Sequence, residues 1–354
     1  MRPLFATIDS GALKHNLAVV RRHAPRSRIL AVVKANAYGH GLMRAAAALS
    51  EAEGFALLEL EDAVRLREAG FRQRIVLLEG FFEPGELPVL LRHGLAAVVH
   101  NMDQVTALDG FPGEGKLDVL LKVNTGMNRL GLAPSEYPAA LERLRRNARV
   151  GNITLLTHFA DADDTRGVAW QLEHLRRLAG YGSLPCSLAN SAAILRYPET
   201  HGDWVRPGIM LYGCSPFPES AGGEAGLKPV MTLESRIIAV QELRPGDAVG
   251  YGGTFQAERG MRIGVVACGY ADGYPRHAPT GTPIMVAGRM SRTLGRVSMD
   301  MLCADLTEMP EAGVGSRVVL WGEGAPVERV AGAAGTVGYQ LLCALAPRVR
   351  IVER

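Results

Sequence analysis

A lysine at the end of an apolar run is the first residue whose surroundings favour chemistry. Lys34 follows the run ILAVV and begins the stretch KANAYGHG, residues 34–41. An apolar strand end removes water from an amine and disfavours its charged form. A neutral amine can attack an aldehyde and form an imine. Lys34 is therefore a candidate covalent anchor for an aldehyde group, although a surface lysine is the commoner occupant of such a position.

The first part of the chain alternates short apolar runs with amphipathic stretches. Runs rich in Val, Ile and Leu occur at 29–33, 55–58, 75–78, 96–99, 119–123 and 153–159, and amphipathic stretches occur at 60–70, 135–147 and 166–178. This alternation is typical of a TIM-type (β/α)8 barrel or an open parallel sheet. No GxGxxG follows the first run and no GxxxxGK[ST] occurs, which weakens the nucleotide-binding open-sheet alternative.

The composition changes near the Gly-rich stretch 220–226. Beyond it, β-like runs at 235–243, 262–270, 282–288 and 316–321 are separated by Gly and Pro, with one helical pattern at 327–335. Turn residues between short strands indicate a β-rich domain. We therefore predict an α/β barrel domain over residues 1–226 and a β-rich domain over residues 227–354.

Composition excludes several classes of function. The 354 residues are 47% hydrophobic and carry a formal net charge of +3 with no long basic run, so nucleic-acid binding is not expected. The five cysteines are scattered and never form a CxxC pair, which favours neither a disulfide framework nor a metal site. The N-terminus has no apolar signal region and no apolar stretch is long enough to span a membrane. We expect a soluble cytoplasmic protein.

Nine motifs, in order along nearly the whole chain, resemble those of the alanine racemase family, which belongs to the fold-III enzymes that use pyridoxal 5′-phosphate (PLP). They are AVVKANAYGHG (31–41), LLKVNTGMNRLG (120–131), THFADAD (157–163), LANSAA (188–193), WVRPGIMLYG (204–213), VGYGGTF (249–255), GYADGYPR (269–276), GRVSMDML (295–302) and TVGYQL (336–341). One such match would be weak, whereas nine in order are specific.

The resemblance implies a PLP cofactor bound to Lys34 as an imine. Its phosphate would be held by Tyr38, Ser191, Tyr339 and the backbone of Gly208 and Ile209, and Asn190 is expected among the cofactor-binding residues. Arg206 would face the pyridine nitrogen, with His158 beside it. A guanidinium does not give up its proton, so the nitrogen would stay unprotonated. That suits proton exchange at Cα and discourages amino-group transfer.

The resemblance also implies the reaction, which is interconversion of L-alanine and D-alanine for peptidoglycan supply or alanine breakdown. Lys34 and Tyr251 would be the two bases, because a proton removed from one face of Cα must be replaced on the other. Family members contribute this tyrosine from the second subunit, which implies a homodimer with shared sites. Arg129 and the Met299 backbone N–H would bind the substrate carboxylate.

Two further implications concern the surroundings of the substrate. Lys122 would be carbamylated and would orient Arg129; an unmodified lysine balanced by another anion is the alternative. Tyr270 and Asp272 would shape the access channel.

Three other functions fit this set of residues less well than a racemase does. A PLP-dependent decarboxylase of the same architecture would usually place an acidic residue at the ring nitrogen and use a cysteine near the cofactor, whereas this chain has Arg206 and Tyr251. A non-catalytic PLP carrier would lack the residues beyond 227. A Schiff-base aldolase would not need the phosphate-binding set.

Overall fold

A computed structural model describes residues 2–354, which form two compact units. The barrel unit consists of Leu17–Ala37 and Gly41–Leu211. The sheet unit consists of the described residues up to Asn16 together with Tyr38–His40 and Tyr212–Arg354. The predicted boundary between residues 226 and 227 stays a prediction. Strand β1 (Phe5–Ile8) comes from the stretch that sequence analysis assigned to the barrel domain, yet it pairs within the sheet unit.

Eight parallel strands close into a barrel, which confirms the predicted fold class. They are β2 (Arg28–Val32), β3 (Gly54–Leu57), β4 (Arg74–Leu77), β5 (Ala96–Val99), β6 (Leu117–Lys122), β7 (Val150–Leu156), β8 (Cys186–Ser187) and β9 (Trp204–Val205). The helices of this part of the chain are α1 (Ser10–His23), α2 (Leu42–Ala48), α3 (Leu60–Glu68), α4 (Leu87–Arg92), α5 (Met102–Asp109), α6 (Tyr137–Arg146), α7 (Ala169–Arg176) and α8 (Ser191–Arg196).

Composition explains which strands could be predicted. Strands β2 to β7 coincide with the six apolar runs, because their side chains are buried in the barrel. Strands β8 and β9 have two residues each. A two-residue strand leaves no periodic pattern in the sequence, so these strands are recognisable only from their pairing with β7 and β2.

The sheet unit is built on one eight-stranded sheet in the order β13–β16–β15–β14–β17–β10–β1–β18. Its later elements are β10 (Met231–Leu243), β11 (Ala248–Val249), β12 (Phe255–Gln256), β13 (Met261–Val266), β14 (Pro283–Val286), β15 (Arg289–Leu294), β16 (Leu302–Asp305), β17 (Arg317–Trp321), β18 (Arg350–Glu353), and helices α9 (Val327–Ala333) and α10 (Gly338–Cys343). Strand β1 runs antiparallel to β10 and parallel to β18. The predicted β-rich C-terminal part is confirmed.

The segment that follows Lys34 is a helical turn of the left hand. Ala35, Asn36, Ala37 and Tyr38 all have φ between 52° and 54°. Each L-residue in this region costs roughly 1–2 kcal/mol, although Asn tolerates it better than most. Asn36 fixes the turn, because its carbonyl accepts from Gly41 N at 2.9 Å and its Oδ1 accepts from Leu42 N at 2.8 Å. Strain of this kind persists at functional sites, where surrounding contacts hold it.

Across residues 2–354, the helices are all too short or too polar to cross a lipid bilayer.

Candidate active site

The predicted site residues of the barrel unit lie at the carboxyl ends of its strands. Lys34 follows β2 by two residues, Lys122 ends β6, His158 follows β7 by two residues, and Arg206 comes directly after β9. The carboxyl ends of parallel barrel strands form one face, where barrel enzymes build their active sites. Closure of the barrel therefore brings together residues that are up to 172 positions apart in the sequence.

The Arg206 guanidinium is held by several hydrogen bonds that, among the described residues, leave one of its N–H donors without an acceptor. Its Nη1 donates to the Ser187 carbonyl at 2.6 Å and to Ser187 Oγ at 2.8 Å, and its Nη2 donates to the Thr157 carbonyl at 2.7 Å. Burial lowers the pKa of this guanidinium to about 10, so it remains charged at neutral pH. Within residues 2–354 its Nε–H has no acceptor, and this N–H is therefore the donor that Arg206 can offer to a ligand.

The contact between Arg206 and His158 fixes the protonation of the imidazole. Arg206 Nη2 lies 3.3 Å from His158 Nδ1 and can only donate, so Nδ1 must accept. Burial, followed by the charges of Arg206, Arg129, Lys122 and Lys34, lowers the pKa of His158 well below its usual value. His158 is therefore neutral, with its proton on Nε2.

Lys122 lies in a positively charged part of the barrel mouth. It is 7% exposed, and burial together with Arg206, Arg129 and Lys34 lowers its pKa to about 8, against the opposing effect of Glu79. A substantial neutral fraction is therefore present near pH 8. Cations outnumber carboxylates around this amine, so the mouth favours anionic ligands.

The candidate phosphate residues of the barrel unit are grouped around Ser191. Ser191 Oγ accepts from Gly208 N at 2.9 Å and from Met210 N at 3.4 Å. With both lone pairs engaged, its hydroxyl can only donate to a further group, which suits an anion. Gly208 N–H thus points at Ser191 in this structure. Asn190 caps α8, since its Oδ1 accepts from Ala193 N at 3.0 Å, and Ile209 is buried.

The candidate phosphate residues of the sheet unit are aromatic. The Tyr38 ring stacks on Tyr212 with centroids 4.7 Å apart and lies 6.1 Å from Tyr339. Burial raises the pKa of the Tyr38 hydroxyl well above its usual range, so this phenol is a hydrogen-bond donor. Gly39, the residue after Tyr38, has φ 80°, and a Cβ at this position would lie 2.2 Å from the Leu342 carbonyl. Only glycine therefore fits directly after the left-handed turn that ends at Tyr38.

Four further predicted residues of the sheet unit differ sharply in exposure. Tyr251 is 69% exposed in a turn, Met299 is 53% exposed, and Tyr270 is partly exposed with the Arg276 guanidinium 5.9 Å from its ring centroid. Asp272 is 0% exposed.

The contacts of Asp272 are those of a structural anchor. It binds Arg2 through two hydrogen bonds of 2.5 and 2.8 Å, Arg348 Nε at 2.7 Å and Gly269 N at 2.9 Å. Burial alone would raise its pKa, but these hydrogen bonds lower it below the usual value. Its predicted part in an access channel stays a prediction.

A polar network that was not predicted from the sequence lies behind Arg206. Gln171 on α7 is fully buried and contacts Thr125, which in turn contacts Thr157. A signal for Gln171 exists in the sequence, because it occupies a core position of the apolar face formed by Val168, Leu172 and Leu175. Glu79, whose charge raises the pKa of Lys122, lies two residues after β4. No sequence motif distinguishes it.

The donors of the barrel mouth fit a phosphorylated aldehyde that contains a ring nitrogen. Lys34 supplies an amine, Ser191 supplies a hydroxyl restricted to donation, and Arg206 supplies an Nε–H without an acceptor. The donor set therefore has a group for the aldehyde, the phosphate and the ring nitrogen of PLP.

Comparison with known proteins agrees with this chemistry. The family model for the alanine racemase N-terminal domain matches residues 8–216, and that for the C-terminal domain matches residues 230–353. Proteins named alanine racemase from Nitrosospira multiformis and Nitrosomonas europaea are 60% and 58% identical, with 99% of each chain covered. The biosynthetic alanine racemase of Pseudomonas aeruginosa superposes with a TM-score of 0.96 at 46% identity, covering 100% of both chains. The chain belongs to the alanine racemase family.

Proposed function

We propose that this protein interconverts L-alanine and D-alanine with PLP as its cofactor. The observation that carries the proposal is the Arg206 Nε–H, a donor without an acceptor on a rigid guanidinium at the barrel mouth. When bound, PLP withdraws electrons from the substrate and makes its Cα proton acidic. Arg206 directs a donor at the ring nitrogen and cannot release its proton there.

The two bases are Lys34 and Tyr251. Lys34 holds the cofactor and exchanges a proton with one face of Cα, and Tyr251 exchanges a proton with the opposite face. The high exposure of Tyr251 supports its action in the site of a second subunit, since it leaves the phenol available to another chain. The functional unit is then a homodimer in which Met299, which is also exposed, contributes its backbone N–H to the substrate carboxylate.

The phosphate of the cofactor is bound by neutral donors. Ser191 can only donate, because two backbone N–H groups already occupy its hydroxyl oxygen. Tyr38 stays protonated because burial raises its pKa, so its O–H remains a donor. Tyr339 and the backbone of Ile209 add further donors. Gly208 contributes through Ser191, to which its N–H points, and Asn190 keeps its side-chain Nδ2 for the cofactor while its Oδ1 caps α8.

Arg129 binds the substrate carboxylate, and Lys122 orients Arg129. The neutral fraction of Lys122 near pH 8 supports carbamylation. In that step the ammonium first gives one proton to solvent, and the neutral amine nitrogen then bonds to the carbon of CO2 and releases a second proton, so that a cation becomes a carbamate anion beside Arg129. Glu79 is the anion that would balance an unmodified Lys122. Tyr270 and Asp272 complete the proposal at the access channel, and a cytoplasmic role in supplying or consuming D-alanine for peptidoglycan belongs to it as well.

A racemisation assay across a panel of L-amino acids tests the proposal. The purified holoenzyme is incubated with each amino acid, and both enantiomers are separated by chiral chromatography. We expect D-alanine from L-alanine and the reverse, with larger side chains reacting more slowly. Formation of ethylamine and CO2 from alanine would support the decarboxylase alternative, and a PLP-loaded protein that makes no D-alanine would refute the proposal.

A further inference from the structure

Gln171 anchors helix α7 to the carboxyl ends of two barrel strands. Its Oε1 accepts from Ala160 N at 2.7 Å, and its Nε2 donates to Thr125 Oγ1 at 2.8 Å and to the His158 carbonyl at 3.1 Å. A backbone N–H can only donate, so the atom facing Ala160 must be the amide oxygen. The orientation of the Gln171 amide is therefore determined, and its nitrogen must donate to both other partners.

The direction of every hydrogen bond beyond Gln171 follows. Thr157 Oγ1 lies 2.9 Å from the Val123 carbonyl, which can only accept, so the Thr157 hydroxyl donates its hydrogen to this carbonyl. In the 2.8 Å contact between Thr125 Oγ1 and Thr157 Oγ1, Thr125 must then be the donor. The proton chain runs from Gln171 through Thr125 and Thr157 to Val123, and no hydroxyl in it can turn without breaking a bond.

This chain passes through Thr157, whose backbone carbonyl holds Arg206. Arg206 Nη2 donates to the Thr157 carbonyl at 2.7 Å and contacts His158 Nδ1 at 3.3 Å. Gln171 donates to the carbonyl of His158, the residue after Thr157. The segment 157–160 is therefore bound on the side of helix α7 by Gln171, and Arg206 binds it from the barrel.

The same helix reaches the loop that carries Arg129. His174 lies one turn after Gln171, and its Nδ1 is 2.9 Å from the Thr125 carbonyl. Residues three apart on a helix share a face, so the side chains of Gln171 and His174 both bind Thr125. Thr125 begins the loop that leads to Arg129 four residues later.

We infer that Gln171 is a positioning residue, which orients Arg206 for the ring nitrogen through one hydrogen-bond chain of fixed direction and holds Thr125 in the loop that leads to Arg129. It touches neither ligand. Its effect on the reaction rests on the proposed function, whereas its effect on Arg206 and His158 is a property of the protein alone.

Gln171→Glu keeps the size of the side chain, reverses the hydrogen bond to Thr125 and breaks the chain at Thr157. An ionised carboxylate can still accept from Ala160 but cannot donate, so the Thr125 hydroxyl must turn toward it and abandon Thr157. The variants are therefore compared at high pH, where the buried carboxyl is ionised. The new carboxylate also repels the His158 carbonyl. Thr125→Val breaks the same chain one link later with a side chain of similar volume. Glu173→Gln on the same helix is the matched control, because it alters only an exposed ion pair with Arg177.

The first readout uses apoprotein and no activity. 15N NMR of histidine-labelled protein reports the protonation of His158, whose signals are assigned by their loss in His158→Gln. We expect the Nδ1 signal of His158 to move in both Gln171→Glu and Thr125→Val and to stay in place in Glu173→Gln. A signal at the wild-type position in both variants would overturn the inference, even if the variants melt at a lower temperature.

The second readout uses holoenzyme and separates positioning from stability. We expect kcat to fall about 10- to 100-fold, by analogy with the loss of hydrogen-bond partners that orient metal ligands. We also expect more pyruvate per racemisation event, since pyruvate is released when the amino group of alanine passes to the cofactor and a misplaced Arg206 no longer opposes this. Unchanged kcat and pyruvate yield in both variants would overturn the inference. If wild-type protein makes no D-alanine, the proposed function fails, while the NMR experiment still decides the role of Gln171.

Discussion

Lys122→Met should stabilise the unmodified apoprotein below pH 8. The pKa of Lys122 falls from 10.5 to about 8 in the folded chain. The unfolded chain therefore binds more protons between these two values, and the free energy of unfolding of wild-type protein rises with pH across that window. At 1.36 kcal/mol per pKa unit the difference is worth about 3 kcal/mol. The destabilisation is present in full below pH 8 and disappears above pH 10.5.

Urea unfolding of apoprotein in CO2-free buffer measures this directly. We expect Lys122→Met to exceed wild type by about 3 kcal/mol at pH 7 and to lack the wild-type slope between pH 8 and 10.5. Lys116→Met is the matched control, since Lys116 is exposed and its replacement should change little. Equal stability and equal pH slopes in wild type and Lys122→Met would refute the reasoning that Lys122 is a destabilised buried ammonium.

Adding bicarbonate to the same experiment tests the modification. Carbamylation converts the buried cation into an anion among Arg206, Arg129 and Lys34, so wild type should gain stability with bicarbonate and Lys122→Met should not. A wild-type protein indifferent to bicarbonate would favour Glu79 as the balancing anion.

Three further substitutions test the assigned roles. Lys34→Ala should abolish the visible absorption band of the protein-bound cofactor, and a band that persists would contradict the assignment of Lys34. Tyr251→Phe should lower turnover of L-alanine by at least about 100-fold while cofactor affinity stays near wild type; unchanged turnover in both directions would remove Tyr251 from the mechanism. Asn36→Ala should lower the free energy of unfolding by about 1–2 kcal/mol, because it removes the hydrogen bond to Leu42 and places Ala at φ 52°; Asn36→Asp should retain most of the stability, and equal loss in both would contradict this account.

The barrel could be predicted from the sequence wherever burial leaves a pattern. Strands β2 to β7 are buried on both faces, so their composition alone distinguishes them. Lys34 was recognisable because it follows an apolar run within a motif, and Arg206 was recognisable from the motif WVRPGIMLYG alone. The family was recognisable because nine motifs recur in order, and the comparisons confirm it.

Other features arise only from long-range contacts. Strand β1 gives no sign in its own four residues that it will pair with β10 and β18, more than 220 positions away. The left-handed turn after Lys34 is contrary to the conformational preference of alanine. It is stabilised by the hydrogen bonds that Asn36 accepts from Gly41 and Leu42.

The active site divides along the same line. The sequence by itself determined which groups are present: an amine at Lys34, a guanidinium at Arg206 and a phenol at Tyr251. Only the tertiary structure decided their state, because hydrogen-bond direction and desolvation depend on neighbours distant in the chain. It made His158 neutral, left Arg206 with one N–H to offer, lowered the pKa of Lys122, and enclosed Asp272 between two arginines. It also placed Gln171, an isolated polar residue on an apolar helix face, where its amide determines the direction of the hydrogen bonds through Thr125 and Thr157.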